Sequence, residues 1–215
     1  MIYPLLLTFI ALVILLYFEY KNDRSGAYLT KPLASFCFLW AAFNLNLLQL
    51  NLLNEILIMA LIFCFIGDVL LLPKSKSFFK IGILTFLAGH VAFIGAFFQL
   101  DTGINFQALT MGLILTALIG FLAGRWMWPY LTRNFKIPII FYITIISLMV
   151  SSSLGVIANG ASPYFLMAAL MFYFSDLFVA RNRFVAPGFI NRLIGLPLYY
   201  GAVYLFIYTF STLQK

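Results

Sequence analysis

Two aspartates stand in otherwise oily stretches of the chain. Asp68 lies in "FCFIGDVLLL" (Phe63 to Leu72), and Asp176 lies in "FYFSDLFVARNRF" (Phe172 to Phe184). An Asp at the centre of a membrane helix is disfavoured by about 2.5–3.5 kcal/mol on insertion scales. Such residues therefore face a bundle interior or a wet cavity and carry function, unless each sits near a helix end and reaches water. Two carboxyl groups in a low-dielectric cavity suit acid–base chemistry. Desolvation favours the neutral acid, and a neighbouring carboxylate favours it further, so one member can give a proton while the other acts as base. Glycosidases manage an oxocarbenium-like cation with such a pair. The competing reading is a structural polar contact between two parts of the bundle.

The elements that position these acids follow from composition. The 215 residues are 64% hydrophobic and only 9% charged. Each apolar run that spans a bilayer needs about 20 residues. The sequence predicts eight such spans, at 2–19, 32–50, 53–72, 80–99, 106–124, 137–156, 161–180 and 192–213. The connections are too short for a separate soluble domain. We therefore expect one domain over 1–215, an all-α polytopic membrane protein built as a bundle of eight transmembrane helices. A β-barrel is disfavoured, because the runs are continuous and lack alternation. The first run lacks a positive n-region and an A-x-A-like cleavage site, so it reads as a retained helix.

The net charge of +7 could suggest nucleic acid, but its distribution argues against that partner. Basic residues fall in every second connection: Lys21, Arg24 and Lys31; Lys74, Lys76 and Lys80; Arg125, Arg133 and Lys136; then Arg181, Arg183 and Arg192. The alternate connections carry no Lys or Arg, and Lys215 is alone at the far end. This is the positive-inside pattern. It places four basic loops in the cytoplasm, next to anionic membrane lipids, and both termini outside. Short loops and the lack of a targeting tail favour a bacterial inner membrane.

Topology gives the acids a depth. Asp68 and Asp176 each stand four residues from the predicted cytoplasmic end of a span, roughly 6 Å along the axis. The two surroundings also repeat. Phe65 matches Tyr173, Lys31-Pro32 matches Lys136 and Pro138, and offsets near 107 recur. This points to a four-plus-four parallel repeat with its binding site at the repeat interface. Lys31, Asn182, Tyr199 and Tyr200 fall near the same layer. His90, the single histidine, lies deeper, roughly 15 Å into its span. Pro32 and Pro138 suit first turns of helices, whereas Pro197 falls inside a span and can kink it.

Other motifs carry less. Cys37 and Cys64 form no C-x-x-C and read as core packing. Gly120 and Gly124 form G-x-x-x-G, which fits packing within the bundle or, alternatively, a homodimer. One His and two Asp, without H-E-x-x-H, make a poor ligand set, so we expect no metal and no cofactor. "VSSSLGV" at 150–156 is not a G-x-S-x-G elbow, and its serines read as helix-packing or backbone-bonding residues.

Several segments together resemble one family. "KPL" at 31–33, "GDVLLL" at 67–72, "GHVAFI" at 89–94, "SDLFVARNRF" at 175–184 and "LPLYYGAVYL" at 196–205 resemble the YhhN family of membrane proteins, which includes the lysoplasmalogenases. The resemblance runs in order over nearly the whole chain. It implies hydrolysis of the vinyl ether of a one-chain lysoplasmalogen, giving a fatty aldehyde and glycerophosphoethanolamine or glycerophosphocholine. It marks Asp68 and Asp176 as the catalytic pair. Lys31, His90, Asn182 and Tyr200 fall on other family-like positions, and with Tyr199 they are the candidate substrate-binding residues. The required chemistry fits the pair. An acid protonates the outer alkene carbon, water adds to the oxocarbenium ion, and the hemiacetal collapses. The sequence does not divide acid from base; we take Asp176 as the acid. Lys31, with Arg181 or Arg183, could hold the lipid phosphate, although snorkelling or setting topology is the favoured reading of those arginines. The alternatives are a lipid hydrolase with another substrate and a small lipid or proton-coupled transporter, in which buried Asp and His form a relay.

Overall fold

The computed structural model describes residues 2–45 and 51–213. The last part of the second expected span (46–50) and Lys215 lie outside the described residues. Within them the chain forms eight α-helices: α1 (Ile2–Lys21), α2 (Arg24–Asn44), α3 (Leu52–Leu70), α4 (Lys76–Phe98), α5 (Phe106–Met127), α6 (Arg133–Ile157), α7 (Tyr164–Ala180) and α8 (Phe189–Thr212). A turn of π-helix, Arg181–Val185, prolongs α7. Side chains start three helices by accepting otherwise unpaired amides. Asp23 caps α2 through Ser25 N at 2.9 Å, Asn51 caps α3 through Asn54 N at 2.8 Å, and Asn105 caps α5 through Ala108 N at 3.0 Å.

The apolar runs mark the helices but not their ends. At the basic end, α2 begins at Arg24, α4 at Lys76 and α6 at Arg133, several residues before the expected starts at 32, 80 and 137. A helix continues past the apolar run once its polar residues can meet water, and of these three only α2 also has a side-chain cap, Asp23. Pro32 and Pro138 consequently lie inside α2 and α6 rather than in first turns. Each removes an N–H that would have bonded the carbonyl four residues earlier. Pro197 lies inside α8, as expected.

Seven of the helices are long and apolar enough to cross a membrane, and the chain is a polytopic helical membrane protein. The exception is α2, whose composition is diluted by the inward-facing Lys31 and Ser35. Neighbours in sequence pack as pairs: α1 with α2, α3 with α4, α5 with α6, and α7 with α8. Further contacts join α2 to α3, α6 to α7, α4 to α6, α8 to α2, and α1 to α8. Advancing every helix by four maps all of these onto one another except α1–α8, for which α4 and α5 make no comparable contact.

Lipid is as apolar as the side chains, so close packing rather than desolvation holds such helices together. Phe93 stacks on Phe206 at 4.5 Å, and Phe97 and Phe165 pack on Phe210 at 5.9 and 4.7 Å. Gly120 serves the same purpose. A Cβ there would lie 2.5 Å from Ile143, so the G-x-x-x-G seats α5 on α6 inside the bundle. Cys37 and Cys64 are free and buried. Ser151 and Ser153 bond backbone carbonyls of their own helix at 2.7 Å. At the basic end a second apolar cluster, Phe79, Ile83, Met127, Leu131, Phe135 and Ile139, ties α4, α5 and α6 together.

Candidate active site

Asp68, two residues from the end of α3, is saturated with partners. Its Oδ1 lies 2.9 Å from Lys31 Nζ, which also donates to the Asp68 backbone carbonyl at 3.3 Å. Its Oδ2 accepts from Ser35 Oγ and Tyr199 OH, each at 2.6 Å. Tyr200 OH lies 3.1 Å from Ser35 Oγ and donates to the Lys31 carbonyl at 3.3 Å. The Lys31 and Asp68 side chains are only 6% and 2% exposed, so this is a buried ion pair with its hydrogen bonds filled.

Asp176 is held more loosely. Tyr142 OH donates to Oδ2 at 2.7 Å, and His90 Nε2 lies 3.1 Å from the same oxygen. His90 Nε2 and Tyr142 OH are themselves 3.0 Å apart. Oδ1 of Asp176 takes no hydrogen bond from the described residues, and the side chain keeps 15% of its exposure. His90 is fully enclosed, and its Nδ1 has no hydrogen-bond partner among the described residues.

The two centres are built alike. Asp68 is held from α2, the helix before its own, and from α8; Asp176 is held from α6, the helix before its own, and from α4. Ser35 and Tyr142 stand 107 residues apart, the two acids 108, and His90 and Tyr199 109. No hydrogen bond joins the carboxyl groups. Rings lie between them: Tyr199 meets Phe172 at 5.3 Å, and Phe172 meets His90 at 4.6 Å. Phe86 closes this wall, 5.7 Å from Tyr199. Gly67 makes room for it, since a Cβ there would lie 2.6 Å from the Phe86 ring.

Both acids line one apolar, partly open cavity, walled by Phe86, Ile143, Ile146 and Leu196 among others. Toward the basic end it adjoins a polar recess, and Lys31, Leu71, Phe79, Val179, Asn182 and Arg192 line both. The recess gathers residues of three basic connections. Phe135, just inside the fourth, packs on Phe79 and Phe184 at 5.9 and 5.3 Å, so all four lie at one end of the bundle. At the other end Asn159 donates to the Thr102 carbonyl at 3.0 Å, joining two connections free of Lys and Arg.

The structure thus brings Lys31, Tyr199 and Tyr200 around Asp68, and His90 onto Asp176. Asn182 stands apart from both acids. Its side-chain oxygen accepts from Gly188 N at 3.0 Å and Asn191 Nδ2 at 3.1 Å, which fixes the connection between α7 and α8. Asn191 also accepts from Arg181, which turns that arginine into the same junction. Sequence reasoning missed Ser35 and Tyr142. The repeat offset would have found them: applied to a polar residue of α2, it lands on Tyr142. Among the described residues, no group of three or more His, Cys, Asp or Glu is arranged to hold a metal ion.

The YhhN family model matches residues 26–210. Lysoplasmalogenase TMEM86A of Bos taurus is 30% identical over 183 residues, covering 81% of this chain and 73% of that protein. The protein of the same name from Homo sapiens matches to the same extent. A lysoplasmalogenase of Mycobacterium bovis is 29% identical over 150 residues, covering 67% of this chain and 54% of that protein. No solved structure matches the chain significantly.

Proposed function

The chain belongs to the YhhN family, and from that premise we propose that it is a membrane lysoplasmalogenase. Its substrate is a one-chain alkenyl glycerophospholipid. Water cleaves the vinyl ether to a fatty aldehyde and glycerophosphoethanolamine or glycerophosphocholine. The observation that carries this reading is one apolar cavity touched by two differently held carboxyl groups.

The difference in partners suggests the roles. Oδ2 of Asp176 is tied to Tyr142 and His90, which leaves Oδ1 to carry a proton into the cavity. Asp176 gives that proton to the outer alkene carbon, and the ether carbon becomes an oxocarbenium centre. The Asp176 carboxylate then accepts a proton from the water that adds there, which restores the acid. In the hemiacetal, the proton of the new hydroxyl leaves as another reaches the glycerol oxygen. The carbon–oxygen bond breaks, aldehyde and alcohol separate, and one water has been consumed. Asp68, its charge already matched by Lys31, faces the cation as a fixed dipolar pair. His90 and Tyr142 orient Asp176, while Tyr199 and Tyr200 hold the Asp68 centre against the substrate. The alternation of basic connections supports a cytoplasmic basic end with both termini outside, and the short loops favour a bacterial inner membrane.

The test is aldehyde release by protein purified in detergent, with lysoplasmalogen and an acyl lysophospholipid compared. We expect release from the vinyl ether alone, with no ion gradient present. No release from lysoplasmalogen under any condition that preserves the fold would sink the proposal and favour the transporter.

A further inference from the structure

The polar recess beside the apolar cavity collects cations from four separate segments: Arg24 at the start of α2, Lys74 between α3 and α4, Arg183 in the π-turn, and Arg192 in α8. Two acids share the wall, and each is already engaged. Asp23 accepts from Ser25 N, and Glu19 lies 3.5 Å from Arg192. Arg24 and Lys74 have no hydrogen bond or ion pair among the described residues, and Arg183 is spread over the Phe79 ring at 4.2 Å. Topology alone asks only that Lys and Arg stand in these loops. It does not ask that they converge on one recess whose floor opens beside Lys31 and the acids.

We propose that this recess is a phosphate site, in which Arg24, Lys74 and Arg183 hold the phosphodiester of a one-chain glycerophospholipid while its hydrocarbon chain fills the apolar cavity. The proposal rests on the lysoplasmalogenase reading for its ligand and fixes how that ligand lies. The headgroup sits at the basic end, the chain runs inward past Asp176, and the glycerol-linked oxygen falls at the junction that Lys31 lines. Guanidinium and ammonium groups suit phosphate oxygens through charge-assisted hydrogen bonds. Arg183, over the Phe79 ring, makes no side-chain hydrogen bond or ion pair among the described residues, so its N–H groups can turn toward them.

The test is a binding measurement with a saturated 1-alkyl lysophosphatidylcholine, which the proposed reaction cannot cleave, and with the neutral 1-alkylglycerol of equal chain length. Three proteins are compared in one detergent: wild type, Arg24→Gln/Lys74→Gln, and Lys21→Gln/Lys76→Gln. The last removes equal charge from the same two connections but outside the recess. For Arg24→Gln/Lys74→Gln we expect binding of the phospholipid to weaken about tenfold or more, with no change for the alkylglycerol. The control pair should bind both like wild type. Inorganic phosphate and glycerophosphocholine, added as competitors, separate a site for free phosphate from one that recognises the glycerol phosphodiester. Displacement by millimolar glycerophosphocholine but not by equal inorganic phosphate is expected. Unchanged phospholipid binding in Arg24→Gln/Lys74→Gln, equal losses in both variants, or an equal loss for the neutral ligand would overturn the proposal. Aldehyde release by wild type is read separately, so failure of the catalytic reading stays distinct from failure of the phosphate site.

Discussion

Lys31 and Asp68 offer the sharpest test of how this site is held together. Both are enclosed, 2.9 Å apart. Removing one partner strands the other charge in a place without water, and breaking a buried pair costs about 3–5 kcal/mol. Each single variant should therefore melt roughly 6–20 °C below wild type. The double variant, left with no charge, should melt above either single. Thermal unfolding of wild type, both single variants and the double variant in one detergent measures this. Single-variant costs that add within about 0.5 kcal/mol would refute the buried ion pair.

Asp176→Asn should reduce aldehyde release by about 10²–10⁴-fold while melting close to wild type, because no buried Lys or Arg is stranded; turnover near normal would remove Asp176 from the chemistry. Tyr142→Phe keeps the ring against His90 but loses the 2.7 Å bond to Asp176, so kcat should fall more than KM changes, and an unchanged pH–rate profile would count against a positioning role. Phe206→Ala, at the centre of the stacked rings, should cost about 3–5 kcal/mol of stability with KM unaffected, checked by thermal unfolding and steady-state kinetics. Single cysteines in place of Lys76 and Thr102 should label from opposite faces of the membrane, and labelling of both from one face would contradict the topology.

The acids were legible because charge inside an apolar run is costly and therefore conspicuous. Lys31 and Tyr199 were legible as neighbours in the same layer, though not as partners of one carboxylate. Lys31 proved to be bound to Asp68 rather than free in the recess. Ser35 and Tyr142 were hidden because Ser and Tyr are cheap in a membrane helix and common there. Only the repeat offset singles them out. Asn182, a family-like position in "SDLFVARNRF", lines both the cavity and the recess, while its side-chain oxygen ties down the α7–α8 connection. Helix ends were misjudged at the basic side for a physical reason: hydropathy reports where lipid stops, whereas hydrogen bonding and caps decide where the helix stops.

The crossed support of the two acids bears on how such a protein is assembled. Asp68 belongs to the first four helices but takes Tyr199 from the last; Asp176 belongs to the second four but takes His90 from the first set. Neither half completes a centre on its own. During synthesis, therefore, the first four helices enter the bilayer with the Lys31–Asp68 pair still short of one donor, and they wait for α8 to arrive. The same dependence would allow the chain to be severed between α4 and α5. Two fragments made together could still find each other, because each carries the group the other lacks, while either fragment alone would be chemically silent. A single ancestral four-helix unit would have met the same condition only by pairing with a second copy of itself.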